Sequence, residues 1–579
     1  MRRTVLTFDE LTSQNSVHSL IDNSGFMPVS TSQEFEGSRT LTLRTRESEM
    51  TCLQGTLGRV DWVDRRTDLF PCVELTLVTA GGHLIPVCRG LVRSTAGQSY
   101  WDVVFSPGKV WTEPEDHSKH RVVLPFLLCN ELENDTHHGL ACFLFDDGGA
   151  TDWRIQIAVQ TKPFMVGAEF DVVGVVALES SNVEDNVHAD VVDAYANECR
   201  DHLLTQSFST LAERVAPELL DNLHQGFGAD TVVVQGIVDD DVIYVDGPHT
   251  RAGDYPFVDA IPFGLWSATK TAFGALACLR LSHILGEDCR TSKIADVVDD
   301  APAAAGWQDV TIGDCLNMAS GIGTVESTAE PPQVFADYIL EASAASASDT
   351  HAQSYRHYFD WFIAHPKHLK NNHAFDCPSY PWGPGEVARY RDQDLYMAGV
   401  AMDAVLKTTR GREARLWDML RDEVYAPLGI RHAVNFHTRE VQETDSVPLT
   451  NSGLLLSIQD IAKLGRLLHQ RGRLGDEQLL SPSLTEELLD PRVCKGLPTG
   501  TQTSDGETYY HFATWHRPYK ALSGESFWLP TMHGYGGQVI QILPNGMTTF
   551  RFAYDDTQTD DGVDVLKLPR IADALRPFI

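Results

Sequence analysis

Ser267 and Lys270, within Gly264-Leu265-Trp266-Ser267-Ala268-Thr269-Lys270-Thr271, have the residue types and spacing of a nucleophile with its own base. A serine hydroxyl is a weak nucleophile until a neighbouring group takes its proton. Downstream, Phe273, Leu276, Ala277, Leu281 and Ile284 recur at three- and four-residue steps, and Gly286 sits where a helix would stop. A helix beginning at or just before Ser267 puts Ser267 and Lys270 on one face, within reach of each other. Its first backbone N–H groups and its dipole also favour negative charge where the serine reacts. A second copy of the spacing, Ser106-Pro107-Gly108-Lys109, reads as a turn and therefore as structural.

Two later segments supply partners. Tyr390, in Pro384-Gly385-Glu386-Val387-Ala388-Arg389-Tyr390-Arg391-Asp392, precedes a helical run over 394–407, striped by Leu395, Ala398, Met402 and Leu406. Its phenol can relay a proton to a leaving group. Asp392 can pair with Lys270 and hold it charged, which would weaken the lysine as a base. Near the C-terminus, Met532-His533-Gly534-Tyr535-Gly536-Gly537-Gln538 opens a strand over 539–543. Pro544-Asn545-Gly546 then turns the chain back along 547–552. The glycines at 534, 536 and 537 mark a bulge or a close backbone approach.

The elements around these motifs divide the chain. Residues 1–35 are polar and mixed, and read as a tail. A β-rich domain over 36–182 is predicted from short runs at 39–44, 72–78, 84–92, 100–105, 122–129, 140–145, 154–160 and 170–178. Their spacing suggests a β-sandwich or barrel. Residues 183–228 turn helical and connect to a catalytic domain over 229–579. A hairpin around Asp239-Asp240 leads toward Ser267, and an insertion falls around 324–375. The histidines at 351, 357, 365, 368 and 373 lack a carboxylate or cysteine at ligand spacing, so no metal and no cofactor is expected.

Composition excludes several classes. With 80 acidic against 46 basic residues the formal net charge is −34, which repels nucleic-acid backbones and anionic lipid. The chain has no run of 18 apolar residues and no signal peptide is read at its start. Eleven scattered cysteines without a Cys-x-x-Cys pair read as free thiols, making the cytoplasm the expected address. Asn134-Asp135-Thr136 is a formal glycosylation sequon that means nothing without secretion.

Residues 230–579 resemble the serine β-lactamase and penicillin-binding-protein superfamily. The resemblance is to the class C-like branch containing esterases, 6-aminohexanoate-dimer hydrolases and acyltransferases. It rests on Ser267/Lys270, then Tyr390/Asp392 where the branch has Tyr-x-Asn, then Met532-His533-Gly534 where it has a Lys/His-Thr-Gly-like strand. Val310 to Ile322, with Ser320-Gly321, and Leu449 to Gly465, with Ser457 and Asp460 as a helix cap, resemble the family's connecting segments. The resemblance implies an α/β fold: an antiparallel sheet with helices on both faces plus a helical subdomain. It implies Ser267 as nucleophile, Lys270 or Tyr390 as base, and the backbone N–H groups of Ser267 and Tyr535 as the oxyanion site. Asp392 and His533 would support them.

Met532 stands where the family carries a cation that grips a substrate carboxylate. That points away from penicillins and toward a neutral ester or amide, with Trp266, Trp382, Trp528 and Tyr535 able to line an acyl pocket. Three readings follow: a hydrolase working through a Ser267 acyl-enzyme, an acyltransferase of the same fold, and a catalytically idle binding or sensor protein locked by Asp392. A homo-oligomer is left open.

Overall fold

A computed structural model describes residues 6–13, 18–60, 63–164, 170–185, 188–225, 231–299, 301, 304–323, 356–442, 445–554 and 565–578. Two large sheets carry the molecule. Residues 33–184 form one hydrogen-bonded sheet of fifteen strands, antiparallel throughout. At its centre lies a long hairpin, His120–Asn130 paired with Glu133–Asp146. Its apolar run does not alternate with polar residues because both faces are buried. Val122, Leu124, Phe126 and Leu128 point into the sheet's own core with Leu41, Phe70, Phe143 and Trp153. Val123, Leu127, Cys129, Leu140 and Cys142 point the other way, into the core of the half that carries Ser267.

The second sheet has nine strands and an edge supplied by the connector. Leu204–Ser207 runs parallel to Val242–Asp246, and every other pairing is antiparallel. The long helices Leu276–Leu285, Asp392–Arg410 and Ile458–His469 share one core with one face of this sheet. Lys567–Leu575 and the turns over 208–223 cover the opposite face, against Ile237, Leu529 and Val539. Ser457 and Asp460 form the reciprocal cap expected at the third helix: the Ser457 hydroxyl accepts from Asp460 N, and Asp460 accepts from Ser457 N.

The structure changes one sequence expectation and refines two. The tail is packed: Phe8–Thr12 is a capped helix, buried Arg121 and Arg154 hold the carbonyls of Leu6, Glu10 and Ser13, and Gln33–Glu34 adds a strand. Within the insertion, 324–355 lie outside the described residues, but 356–375 hold two helices, Arg356–Ile363 and Lys367–Phe375. The Ser106 copy lies at the entry to the strand Gly108–Thr112, with Lys109 exposed. All eleven cysteines are free. No helix among the described residues is long and apolar enough to cross a membrane.

Candidate active site

The strand Phe263–Gly264 pairs with Leu454–Leu456, then breaks into a short turn, Trp266–Ala268, that carries Ser267. The chain does not pass straight into an α-helix there. Lys270–Ala275 is a wide π-turn, a feature often found at functional sites, and regular α-helix begins at Leu276. Ser267 is half-buried and Lys270 is 1% exposed. The Lys270 ammonium is fully partnered: Ser267 Oγ at 2.7 Å, the Asn451 carbonyl at 2.9 Å and Asp392 Oδ1 at 2.6 Å. Burial drives the lysine pKa down and Asp392 opposes it, with a net lowering. A charge so placed is expensive to bury alone, and the carboxylate offsets that expense.

Asp392 opens the helix Asp392–Arg410, and its second oxygen accepts from the Tyr358 hydroxyl at 2.6 Å. Tyr358 comes from the first helix of the inserted region, a partner that no local motif announces. The Tyr390 ring centre lies 5.0 Å from Lys270 Nζ and stacks on Trp515 at 5.8 Å. The structure thus brings Ser267, Lys270, Tyr390 and Asp392 together.

Two glycines let two backbones close on the serine turn from opposite sides. A Cβ on Gly534 would lie under 3 Å from the Leu265 carbonyl, so only glycine lets the strand Ser526–Gly534 pass so close. Gly536 and Gly537 follow at φ 79° and 85°, carrying Tyr535 around the turn into Gln538–Ile542. On the other side, a Cβ on Gly264 would lie under 3 Å from the Asn134 carbonyl, at the tip of the N-terminal domain's long hairpin. Asn134 Oδ1 then accepts from Trp266 N at 2.5 Å. Trp266 holds φ 48°, a left-handed conformation that costs a bulky residue about 1–3 kcal/mol and persists only where its surroundings fix it. The supposed sequon is therefore buried, with Asn134, Asp135 and Thr136 each at 2% exposure or less, and its asparagine braces the residue before Ser267.

The same domain adds an aromatic wall. Phe164 packs edge-on against Tyr535, Trp266, Tyr358 and Phe362, with ring centres 4.9–6.2 Å apart. Lys162 Nζ lies 5.2 Å from the Tyr535 ring centre. Trp266 and Tyr535 thus belong to this group. Trp528 instead lies under Lys495 and donates to the Glu507 carbonyl, and Trp382 stacks on Tyr380 beside Arg389.

His533 accepts at Nδ1 from Arg517 at 2.8 Å; burial, Arg517 and Arg551 keep its ring neutral. Met532 is 2% exposed and turned into the core. Position 532 carries no cation, but a guanidinium from the neighbouring strand stands beside position 533. Of the five histidines read as a cluster, His351 lies outside the described residues, and His365 pairs with Glu131 at 2.9 Å.

No family model and no curated protein matches the chain. Among solved structures it is similar to a putative 6-aminohexanoate-dimer hydrolase from Bacillus anthracis, at 15% identity and TM-score 0.44, over 62% of this chain and 81% of that one. It is also similar to a putative beta-lactamase from Bacteroides dorei DSM 17855, at 14% identity and TM-score 0.41, over 62% and 98%. A family VIII carboxylesterase stands at 14% identity and TM-score 0.40, over 63% and 97%. At such identities and scores these likenesses carry no functional weight, which rests on the site itself.

Proposed function

We propose that the chain is a serine hydrolase of the β-lactamase and penicillin-binding-protein superfamily, class C-like branch, acting on a neutral ester or amide through a Ser267 acyl-enzyme. The observation that carries this reading is the buried Lys270 amine 2.7 Å from Ser267 Oγ, with its pKa lowered by desolvation. In the first half-reaction Ser267 Oγ attacks the carbonyl carbon and its proton passes to the neutral amine of Lys270. Asp392, at 2.6 Å, opposes the loss of the lysine proton, so the reactive neutral amine grows as pH rises. The backbone N–H groups of Ser267 and Tyr535 would hold the oxyanion, a donor being worth about 10²–10³ in rate. Tyr390, beside Lys270, would pass the proton to the leaving group. Water then attacks the acyl carbon and frees Ser267. The acyl group would lie against Phe164, Trp266, Tyr358, Phe362 and Tyr535, which favours an apolar one.

Intact-mass spectrometry over p-nitrophenyl esters of increasing acyl length, with a fluorophosphonate probe alongside, tests this. Wild type is expected to gain one adduct, transient with esters and stable with the probe. Ser267→Ala is expected to gain none and to lose turnover by about 10⁴-fold or more. An adduct or turnover that survives in Ser267→Ala sinks the assignment.

The short Lys270–Asp392 contact favours a second reading, a binding protein whose lysine stays protonated. Asp392→Asn separates the two. Asp392 raises the lysine pKa, so its removal lets Lys270 lose its proton at lower pH. In a working hydrolase the acid limb of kcat/KM therefore moves to lower pH. In an idle protein, wild type forms no adduct and Asp392→Asn creates one.

A further inference from the structure

Away from Ser267, three side chains converge at the end of the strand Gly506–His511. Cys494, half-buried in the loop after the helix Pro482–Leu489, has its Sγ 3.7 Å from His511 Nδ1. His511 Nε2 donates to Glu487 Oε1 at 2.9 Å. Arg290 in turn holds both Glu487 oxygens, at 2.8 and 2.9 Å, and is itself paired with Asp288.

The order is nucleophile, base, orienting carboxylate, with the carboxylate fixed by a cation. Because Glu487 commits Nε2, the other ring nitrogen is left to face the thiol. Because Arg290 commits both Glu487 oxygens, the group offers a thiol and an imidazole to a reactant, not three free lone-pair donors to a metal ion.

The electrostatics agree. The Cys494 pKa is lowered, chiefly by His511 and against burial, with the Gly496 N–H helping and Glu487 opposing. For His511, burial works against the charged ring, but Cys494 and Glu487 outweigh it and its pKa is raised. His516, with its ring centre 6.2 Å away, is kept neutral by its own burial and adds no charge. Burial by itself pushes cysteines the other way: Cys142 rises to about 12, and Cys129 and Cys315 rise well above the ordinary value, while Cys289 is lowered by its contact with Cys278.

We infer that Cys494 is a second nucleophilic centre: with His511 it forms a thiolate–imidazolium pair, oriented by Glu487 and Arg290, that small hydroperoxides oxidise. In the step, the thiolate lone pair forms an S–O bond to the nearer peroxide oxygen and the O–O bond breaks. The departing oxygen takes the His511 proton and leaves as water or an alcohol. Sulfur is oxidised by two electrons to the sulfenic acid, the peroxide is reduced by two, and His511 ends neutral. The inference stands independently of the reading of Ser267.

The test uses the full-length protein and iodoacetamide, with Cys494 separated from the exposed Cys88 and Cys199 by peptide mapping. An ordinary thiol loses about two orders of magnitude in alkylation rate between pH 8.5 and 6.0. N-acetylcysteine in the same tube provides that reference. Cys494 is expected to lose less than tenfold, and His511→Gln is expected to restore the steep fall. Under substoichiometric hydrogen peroxide with dimedone present, the first adduct is expected on Cys494 and is lost in Cys494→Ser. A wild-type Cys494 that tracks N-acetylcysteine, or a first dimedone adduct elsewhere, overturns the inference. Stoichiometric zinc on the purified protein that blocks Cys494 until EDTA removes it overturns it in favour of metal ligation. The wild-type pH profile needs no variant, so a poorly folded His511→Gln leaves the test decisive.

Discussion

The serine turn is gripped from two sides, and the two grips were built differently. On one side the strand Ser526–Gly534 lies against Leu265, an approach opened by Gly534. On the other, the N-terminal hairpin lies against Gly264, and Asn134 holds the Trp266 N–H. The first grip comes from the same half of the chain as Ser267, and its glycine stands in a recognisable motif. The second comes from a chain segment 132 residues away, inside a stretch whose surface reading was a sugar-attachment signal. The contrast teaches that the half carrying Ser267 is not a self-sufficient unit to which a β domain has been attached. One wall of its site belongs to the other domain.

Substitutions that damage one grip at a time would break or sharpen this comparison. The largest effect is expected from Gly264→Ala and Gly534→Ala, where the new methyl meets backbone that cannot rotate away. Each should cost about 3 kcal/mol of stability by overpacking, read as a fall in thermal midpoint, with turnover falling in both. If only Gly534→Ala loses turnover, the N-terminal grip is packing alone.

Asn134→Ala comes next. It strands the Trp266 N–H and releases a strained residue, a penalty of about 1–3 kcal/mol. Expressed at the reacting serine, it should lower kcat about tenfold to a hundredfold while KM changes little. An unchanged kcat would remove Asn134 from the site.

Phe164→Ala is expected to have the smallest effect and a different signature. Losing one aromatic face removes about 1.5–3 kcal/mol of apolar contact. KM should therefore rise about tenfold for long acyl esters and hardly at all for acetate esters. Equal loss for both would argue against an acyl-binding role.

How much of this was legible follows from where each residue's partners lie. Ser267 and Lys270 are three residues apart, and Tyr390 and Asp392 stand just before or at the start of a strongly striped helix, so local spacing exposed all four. Tyr358, Asn134 and Phe164 touch the site only through contacts between distant segments, and nothing in their own neighbourhoods marks them. The β domain was readable where apolar side chains repeat.

Ser48–Gly55 and Leu178–Glu184 escaped because they are largely polar and exposed strands. Glu133-Asn134-Asp135-Thr136-His137-His138-Gly139 escaped for the opposite reason. It is a polar run inside a buried strand, held in part by pairs of its own and of neighbouring segments: His137 with Asp135, Thr136 with Thr161, and His138 with the Pro262 carbonyl. The wide turn at Lys270 also escaped, since helical periodicity does not distinguish a π-turn from an α-turn.

The central hairpin, apolar on both faces, has a consequence for the chain's stability when its halves are separated. Cutting at the connector would leave Val123, Leu127 and Cys129 facing water on one fragment and their catalytic-side partners exposed on the other. Neither half can be lost, duplicated or exchanged without exposing apolar surface prone to aggregation.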